Sequence, residues 1–432
     1  MERSWSTDLT EHEGERVLLQ GWLHHFRRLS RVSFLLLRDA RGVIQVVVDA
    51  PELVRTLEQL HRESVLEVEG TVVAEPQAPG GCEVREPSVR VLSEARSAPP
   101  VELHTPVLKA QLPTQLDHAP VTLRHPTRRA SFALASAALH GFRSTLRARG
   151  FVEIQTPKIV ASATESGANV FPIDYFGRRA YLAQSPQFYK QIMVGVFERV
   201  FEVGPVFRAE PHDTPRHINE YVSLDAEMGF IADHHTVMHV LRDVIAGMVE
   251  AMAAEPDALR SAGVELPAVP PAIPVVHFLE AQAMLTAATG EDLTEEPDLA
   301  PAHEVWLGEW ARREHGSELV FVTGYPMAKR PFYTHPDPER PEFSNGFDLL
   351  FRGLELVTGG QRLHRVDDYE RALAERGLDA APFAGYLETF AHGMPPHGGF
   401  AIGLERWVAG VVGAANIREA TLFPRDLNRL TP

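Results

Sequence analysis

Near the start of the chain, apolar and polar residues alternate in short runs at residues 17–22, 33–38, 43–49, 65–73 and 89–92. Period-two alternation over such lengths predicts β-strands. Five strands packed so closely predict a small all-β barrel, and an OB-fold fits, being a five-stranded barrel that commonly binds oligonucleotides. Residues 98–126 contain prolines and little periodicity, so they read as a linker. Residues 131–149 then carry apolar side chains at helical spacing, with Gly150 where a helix would stop. Further strands are expected at residues 199–207, 221–230, 319–323, 344–351 and 354–358, with a helix at 232–253. Strands in tandem without regular strand-helix alternation predict an α+β unit, an antiparallel sheet flanked by helices. The expected organisation is a barrel over residues 1–100, a hinge over 101–126 and a larger domain over 127–432. Residues 255–301, rich in Pro, Ala and acids, read as surface structure.

Length and composition agree with this division. At 432 residues the chain exceeds one compact core. No apolar run is long enough to cross a bilayer, and the polar start, Met1 to Thr10, lacks a signal-peptide core, so a cytoplasmic protein without membrane contact is expected. Cys82 is the single cysteine, which excludes an intrachain disulfide and a thiolate metal site. The net charge of -16 argues against a general nucleic-acid coat, yet Arg27, Arg28, Arg31, Arg38 and Arg41 cluster locally. That cluster is either a patch for a polyanion or a solvated face of the barrel.

Chemistry gathers in three separated segments. The first is Gly150-Phe151-Val152-Glu153-Ile154-Gln155-Thr156-Pro157, a helix end running into a strand. The second is Phe207-Arg208-Ala209-Glu210, a polar loop, and Asn219-Glu220-Tyr221-Val222-Ser223-Leu224-Asp225-Ala226-Glu227. The third is Gly398-Gly399-Phe400-Ala401-Ile402-Gly403-Leu404-Glu405-Arg406. Taken singly they are a routine turn, a surface Arg-Glu pair and a glycine-rich turn. No P-loop and no G-x-G-x-x-G dinucleotide motif occurs. In this order, behind a barrel, the three resemble the signature motifs of the class II aminoacyl-tRNA synthetases. The resemblance implies that Arg208, a fixed cationic fork, grips the α-phosphate of ATP, and that Arg406 holds the γ-phosphate. It places Glu210 at an exocyclic amine or RNA terminus, His217 and Tyr221 beside adenine, and Pro157 in the interface of a homodimer. Mg²⁺ accompanying ATP would use Asp348 and Glu355. These acids are seven apart, an odd step that puts them on opposite faces of a regular strand unless a bend or bulge at Gly353 intervenes.

The tail, Pro395-Pro396-His397-Gly398-Gly399 through Asn416-Ile417-Arg418-Glu419 to Phe423-Pro424-Arg425, resembles the aspartyl and asparaginyl pair. With Lys190 in Gln184-Ser185-Pro186-Gln187-Phe188-Tyr189-Lys190-Gln191, the resemblance is to the aspartyl-tRNA synthetase family, in its compact archaeal and eukaryotic form without the bacterial insertion domain. It implies that Lys190 and Arg362 clamp the side-chain carboxylate of L-aspartate, that Gln187 and Asp225 hold its α-ammonium, and that Glu165 belongs to a closing loop. In the barrel, Phe34 and Gln45 match the family's anticodon readers, one by stacking and one by its amide; by pattern alone Phe34 is equally a core residue. His25-Phe26-Arg27-Arg28-Leu29-Ser30 departs from the family's usual run, and no reader of the third anticodon base is evident, so the expected substrates are tRNA(Asp) and also tRNA(Asn). The alternatives are an asparaginyl-tRNA synthetase, a tRNA-independent aspartate-ammonia ligase and a non-enzymatic RNA-binding module.

Overall fold

The computed structural model describes residues 1–30, 32–161 and 169–431, and the chain divides into two compact units, Met1–Arg129 and Ala130–Pro432. In the first, β1 (Arg16–Arg28), β2 (Ser33–Arg38), β3 (Val43–Val48), β4 (Val65–Ala74) and β5 (Cys82–Ser93) close a barrel in the order β1-β2-β3-β5-β4. Alternation sends Leu35, Leu37, Ile44, Val46, Val48, Leu66 and Val68 inside, where they are buried. Phe34 and Gln45 have the opposite parity and are half-buried on the outer face, so Phe34 is not a core side chain. The Gln45 amide donates to Glu83 at 2.9 Å.

The arginine cluster does not form one free patch. Arg38 is buried and makes a double hydrogen bond to Glu63, at 2.8 Å in each arm. Arg28 pairs with Glu58 and Arg41 with Asp8, while Arg31 lies outside the described residues. Helices of the unit include α1 (Pro51–Gln59), α2 (Leu112–Asp117) and α3 (Ala119–Thr122), the last two within the stretch read as a linker.

The next helix, α4 (Pro126–Ala148), runs into the second unit. Its strands are β6 (Val152–Glu153), β7 (Ile159–Val160), β8 (Pro172–Tyr175), β9 (Arg178–Leu182), β10 (Arg199–Phe207), β11 (Glu220–Gly229), β12 (Val275–His277), β13 (Leu319–Thr323), β14 (Gly346–Phe351), β15 (Leu354–Arg362) and β16 (His397–Gly403). Eight form one sheet in the order β12-β13-β14-β15-β16-β11-β10-β6, antiparallel except for the outermost pair at each edge. A small sheet, β7-β9-β8, stands apart from it and left no clear alternation in the sequence. The helices are α5 (Gln187–Phe197), α6 (His234–Ala253), α7 (Pro256–Ala262), α8 (Phe278–Thr289), α9 (Pro301–His315), α10 (Val366–Glu375), α11 (Ala384–Ala391) and α12 (Leu404–Val412). Side chains of α4 and α6, among them Phe142, Leu146, Leu241 and Met248, share a buried core with Leu224, Phe347, Val357 and Phe400 of the sheet.

Two expectations need correction. Residues 255–301 are not merely surface structure: β12 pairs with β13, and Val276, Phe278, Ala281 and Leu285 are buried. Three residues are too few for alternation to register, which hid the strand. Gly353 is not a bend within one strand either. Arg352 and Gly353, with φ of 51° and 75°, are the two-residue turn of the β14-β15 hairpin, a conformation that suits glycine. The register jumps between Leu349 and Leu350, which pair with Val357 and Glu355, so the bulge is at Leu356. Asp348 and Glu355 therefore come from neighbouring strands.

Candidate active site

One face of β11 sets the floor of a cavity of about 440 Å³. Strand alternation directs Leu224, Ala226 and Met228 into the core and Ser223, Asp225 and Glu227 to the opposite face. Helix α5 approaches with Gln187, Lys190, Gln191 and Val194, buried at the i, i+3, i+4 and i+7 spacing of a single helical face. Lys190, 1% exposed, places Nζ 2.9 Å from Asp225 Oδ1, 3.3 Å from Glu227 Oε2 and 3.2 Å from the Phe400 carbonyl. From β15, Arg362 donates to Glu227 at 2.9 Å and to the Gly399 carbonyl at 3.1 Å. Burial alone would raise the Glu227 carboxyl, but Arg362 and Lys190 outweigh it and hold the group below its usual range. Glycine is required at position 399, since a Cβ there would stand 2.1 Å from both Glu227 Oε2 and the Ala226 carbonyl.

The opposite part of the cavity is built from the end of β10, the loop after it and α12. The Arg208 guanidinium carbon lies 5.9 Å from the Tyr221 ring centre, a cation beside an aromatic surface. His217 Nε2 is 3.9 Å from Glu210 Oε2, and burial lowers the His217 pKa, keeping the ring neutral. Arg406 donates to the Glu355 carbonyl at 2.7 Å and sits 3.7 Å from its carboxylate. Glu405, buried beside it, accepts the Val222 N–H at 3.1 Å and is pushed up to about 7 by burial.

Of the residues singled out in the sequence, Gln187, Lys190, Arg208, Glu210, His217, Tyr221, Asp225, Glu355, Arg362 and Arg406 all line this one cavity. Asp348 does not: it is buried, and Arg330 caps it at 3.0 and 3.3 Å. Pro157 is exposed, Phe34 and Gln45 belong to the barrel, and Glu165 lies outside the described residues. Sequence reasoning missed Glu227, although its place two residues after Asp225 on a strand was the available signal. It also missed Arg330 and Glu304, which left none: Arg330 sits in a loop, and Glu304 on α9. Glu304 accepts the Glu355 N–H at 3.3 Å and is raised to about 7 by burial and then by the Glu355 charge. No cluster of three or more metal-ligating side chains occurs, and no helix is long and apolar enough to cross a membrane, among the described residues.

A family model described as tRNA synthetases class II (D, K and N) matches residues 111–427, and one described as an OB-fold nucleic acid binding domain matches residues 17–93. The chain belongs to the class II tRNA synthetases. It is similar to proteins named "Aspartate--tRNA(Asp/Asn) ligase" from Thermus thermophilus, at 47% identity over 98% of this chain and 99% of that one, and from Deinococcus radiodurans, at 46% over 100% and 99%. Among solved structures it resembles the asparaginyl-tRNA synthetase of Pyrococcus horikoshii with asparaginyl-adenylate, at TM-score 0.92 and 30% identity over the whole of both chains. It also resembles the aspartyl tRNA synthetase of Entamoeba histolytica, at TM-score 0.90 and 30% identity over 100% of this chain and 93% of that one. This synthetase fold thus accompanies two amino-acid specificities, and the discriminating information must lie in side chains of the pocket.

Proposed function

We propose that the chain activates L-aspartate with ATP and esterifies it to the 3′ end of tRNA(Asp) and of tRNA(Asn). An oxygen of the aspartate α-carboxylate attacks the α-phosphorus, the bond to the bridging β-phosphate oxygen breaks, and pyrophosphate leaves. A terminal ribose hydroxyl of the tRNA then attacks the acyl carbonyl and loses its proton, and AMP leaves. No side chain acts as a nucleophile; the rate comes from positioning and from opposing charge in the transition state. Arg208 takes the α-phosphate and Arg406 the γ-phosphate, with His217 and Tyr221 beside the adenine, Tyr221 stacking on it, and Glu210 at its amine. Lys190 and Arg362 take the aspartate side-chain carboxylate, and Gln187 and Asp225 its α-ammonium. The observation that carries the reading is the buried set of Lys190, Asp225 and Arg362 on one wall of the cavity, with Glu227 joining the two cations beneath it.

The site fits Mg²⁺ carried by ATP. Burial and the Asp348 charge raise the half-buried Glu355 carboxyl even with Arg406 3.7 Å away, so its ionised form would gain from a further cation. Since Arg330 occupies Asp348, the protein offers Glu355 as the ligand on the cavity wall, and Mg²⁺ is commonly held by one or two carboxylates plus substrate phosphates. The ion would supply positive charge at the phosphates.

An asparaginyl specificity is disfavoured by the two buried cations, for which a neutral amide has no use. An aspartate-ammonia ligase would leave the barrel without a role. The outer-face Phe34 and Gln45 suit reading of a splayed anticodon, and the relatives' shared name favours acceptance of both tRNAs. A homodimer closed through the segment of the exposed Pro157, working in the cytoplasm, completes the reading. The test is charging of purified tRNA(Asp) and tRNA(Asn) with labelled aspartate. Comparable kcat/KM on both is expected; a preference for tRNA(Asp) of several hundredfold, about 3.5 kcal/mol, refutes dual specificity. Pyrophosphate exchange driven by asparagine and not by aspartate overturns the amino-acid assignment.

A further inference from the structure

Behind the amino-acid wall of the cavity lies a buried chain of neutral hydrogen-bonding groups. The Gln187 amide nitrogen donates to Gln191 Oε1 at 2.9 Å, and the Gln191 amide nitrogen faces His397 Nε2 at 2.9 Å and Tyr369 Oη at 3.1 Å. Tyr386 Oη donates to Gln191 Oε1 at 2.9 Å, and Tyr369 Oη donates to the Leu363 carbonyl at 2.9 Å. His397 Nδ1 lies 3.0 Å from the Pro395 carbonyl. Gln191, Tyr369 and His397 are fully buried.

The direction of every bond in this chain follows from its far end. A backbone carbonyl can only accept, so His397 carries its proton on Nδ1. Burial keeps the ring neutral, at about 4, so Nε2 has a lone pair and can only accept. An acceptor at Nε2 requires the NH2 of Gln191 to face it, which turns Gln191 Oε1 toward Gln187. That oxygen in turn requires the NH2 of Gln187 and leaves the Gln187 carbonyl for the cavity that Gln187 lines. An amide reversed at either glutamine would set two donors or two acceptors against each other in a dry interior.

We infer that Gln191 and His397 are positioning residues, which fix the Gln187 amide so that its carbonyl oxygen, and not its NH2, meets the α-ammonium of the amino acid. The inference rests on the role proposed above for Gln187. It gives a reason for neutral, direction-bearing groups beside the ion pairs of Lys190 and Arg362: a cation at the Gln187 position would repel the ammonium, whereas a carbonyl held outward accepts from it. Tyr386 supports the same orientation from the side, so its loss matters less than loss of Gln191.

The test is pyrophosphate exchange with the full chain bearing Gln191→Met or Gln191→Glu. Methionine fills the space without hydrogen bonds, so the Gln187 amide is released. The expected result is a rise in aspartate KM of tenfold or more, with ATP KM and kcat within threefold of the parent. A glutamic acid buried in its neutral form donates to His397 Nε2 and accepts from Gln187, so Gln191→Glu is expected to bring aspartate KM back to within threefold. An aspartate KM within twofold of the parent in Gln191→Met overturns the inference. So does an equal rise in the two variants, because a packing role alone would not distinguish them. If the parent exchanges with asparagine and not aspartate, the substrate reading fails separately, and the two variants are compared on asparagine KM, since both amino acids present the same ammonium.

Discussion

Replacing Lys190 by methionine keeps the stem and removes the charge from a site where three oxygens converge on it, at 2.9, 3.2 and 3.3 Å. The parent cluster balances two cations, Lys190 and Arg362, against two anions, Asp225 and Glu227. Lys190→Met leaves a net negative wall with Asp225 and Glu227 facing each other across one vacated partner. Removing one member of a buried ion pair costs about 3–5 kcal/mol, because the remaining charge stays buried. The same charge would meet the aspartate side chain, where a charge-assisted hydrogen bond is worth about 1.5–3 kcal/mol. In aspartate-dependent pyrophosphate exchange, the lost substrate contact should therefore lower kcat/KM roughly 10- to 150-fold, at 1.4 kcal/mol per factor of ten. Reduced folding stability alone would lower aspartate and asparagine activity alike. The sharper reading is thus the ratio of the two kcat/KM values, which should move toward asparagine by at least about tenfold. A folded Lys190→Met protein that keeps its parent aspartate-to-asparagine ratio, or loses less than tenfold on aspartate, refutes the assignment of Lys190 to the side-chain carboxylate.

Arg330→Met should destabilise the protein by about 3–5 kcal/mol in urea unfolding, because it strands the buried Asp348 carboxylate; a loss below 1 kcal/mol would mean that Asp348 has another partner. Glu304 is raised from 4.5 to about 7, so the folded state holds its proton more tightly and stability falls as pH rises through that window. Between pH 5 and pH 8 this amounts to about 2.5 kcal/mol at 1.36 kcal/mol per unit, and Glu304→Gln should remove that part of the pH dependence of urea unfolding; an unchanged slope counts against a protonated Glu304. Gly399→Ala forces a Cβ to within 2.1 Å of the Ala226 carbonyl and of Glu227, so β11 and β16 must separate locally. Aspartate-dependent exchange should drop at least about tenfold with a loss of roughly 1–3 kcal/mol in stability; near-parent values for both would show that the strands can part without disturbing Glu227.

The barrel was legible because each of its strands is long enough to alternate. In β4 the buried positions Leu66, Val68 and Val72 are separated by even steps, and that pattern survives without knowledge of the partners. The site was legible where its residues sit inside regular elements, as Lys190 does on α5 and Asp225 on β11. It was not legible where partners meet only in three dimensions. Asp348 was singled out as a Mg²⁺ ligand through the family resemblance, and nothing near it in the sequence signalled the guanidinium of Arg330, which reaches it from a separate loop. The same holds for β12: a three-residue edge strand carries no period, and its burial follows only from pairing with β13 and from the cover of α8.

Charge and hydrogen-bond direction answer different parts of the recognition problem in this pocket. On the proposed reading, Lys190 and Arg362 distinguish a carboxylate from an amide, because only the former makes hydrogen bonds strengthened by charge on both partners. They cannot by themselves distinguish one end of aspartate from the other, since both of its ends carry a carboxylate. That distinction needs a group that accepts from an ammonium and offers nothing to an anion. Asp225 meets both requirements, but its oxygens are already engaged by Lys190 and Ser223, at 2.9 and 2.5 Å. A neutral carbonyl whose orientation is set from behind meets both, and it adds no net charge to a wall already balanced between two cations and two anions. The neutral chain from Pro395 through His397 and Gln191 to Gln187 is thus the complement of the ion-pair cluster: one selects the charge of the substrate side chain, the other selects which way round the substrate lies.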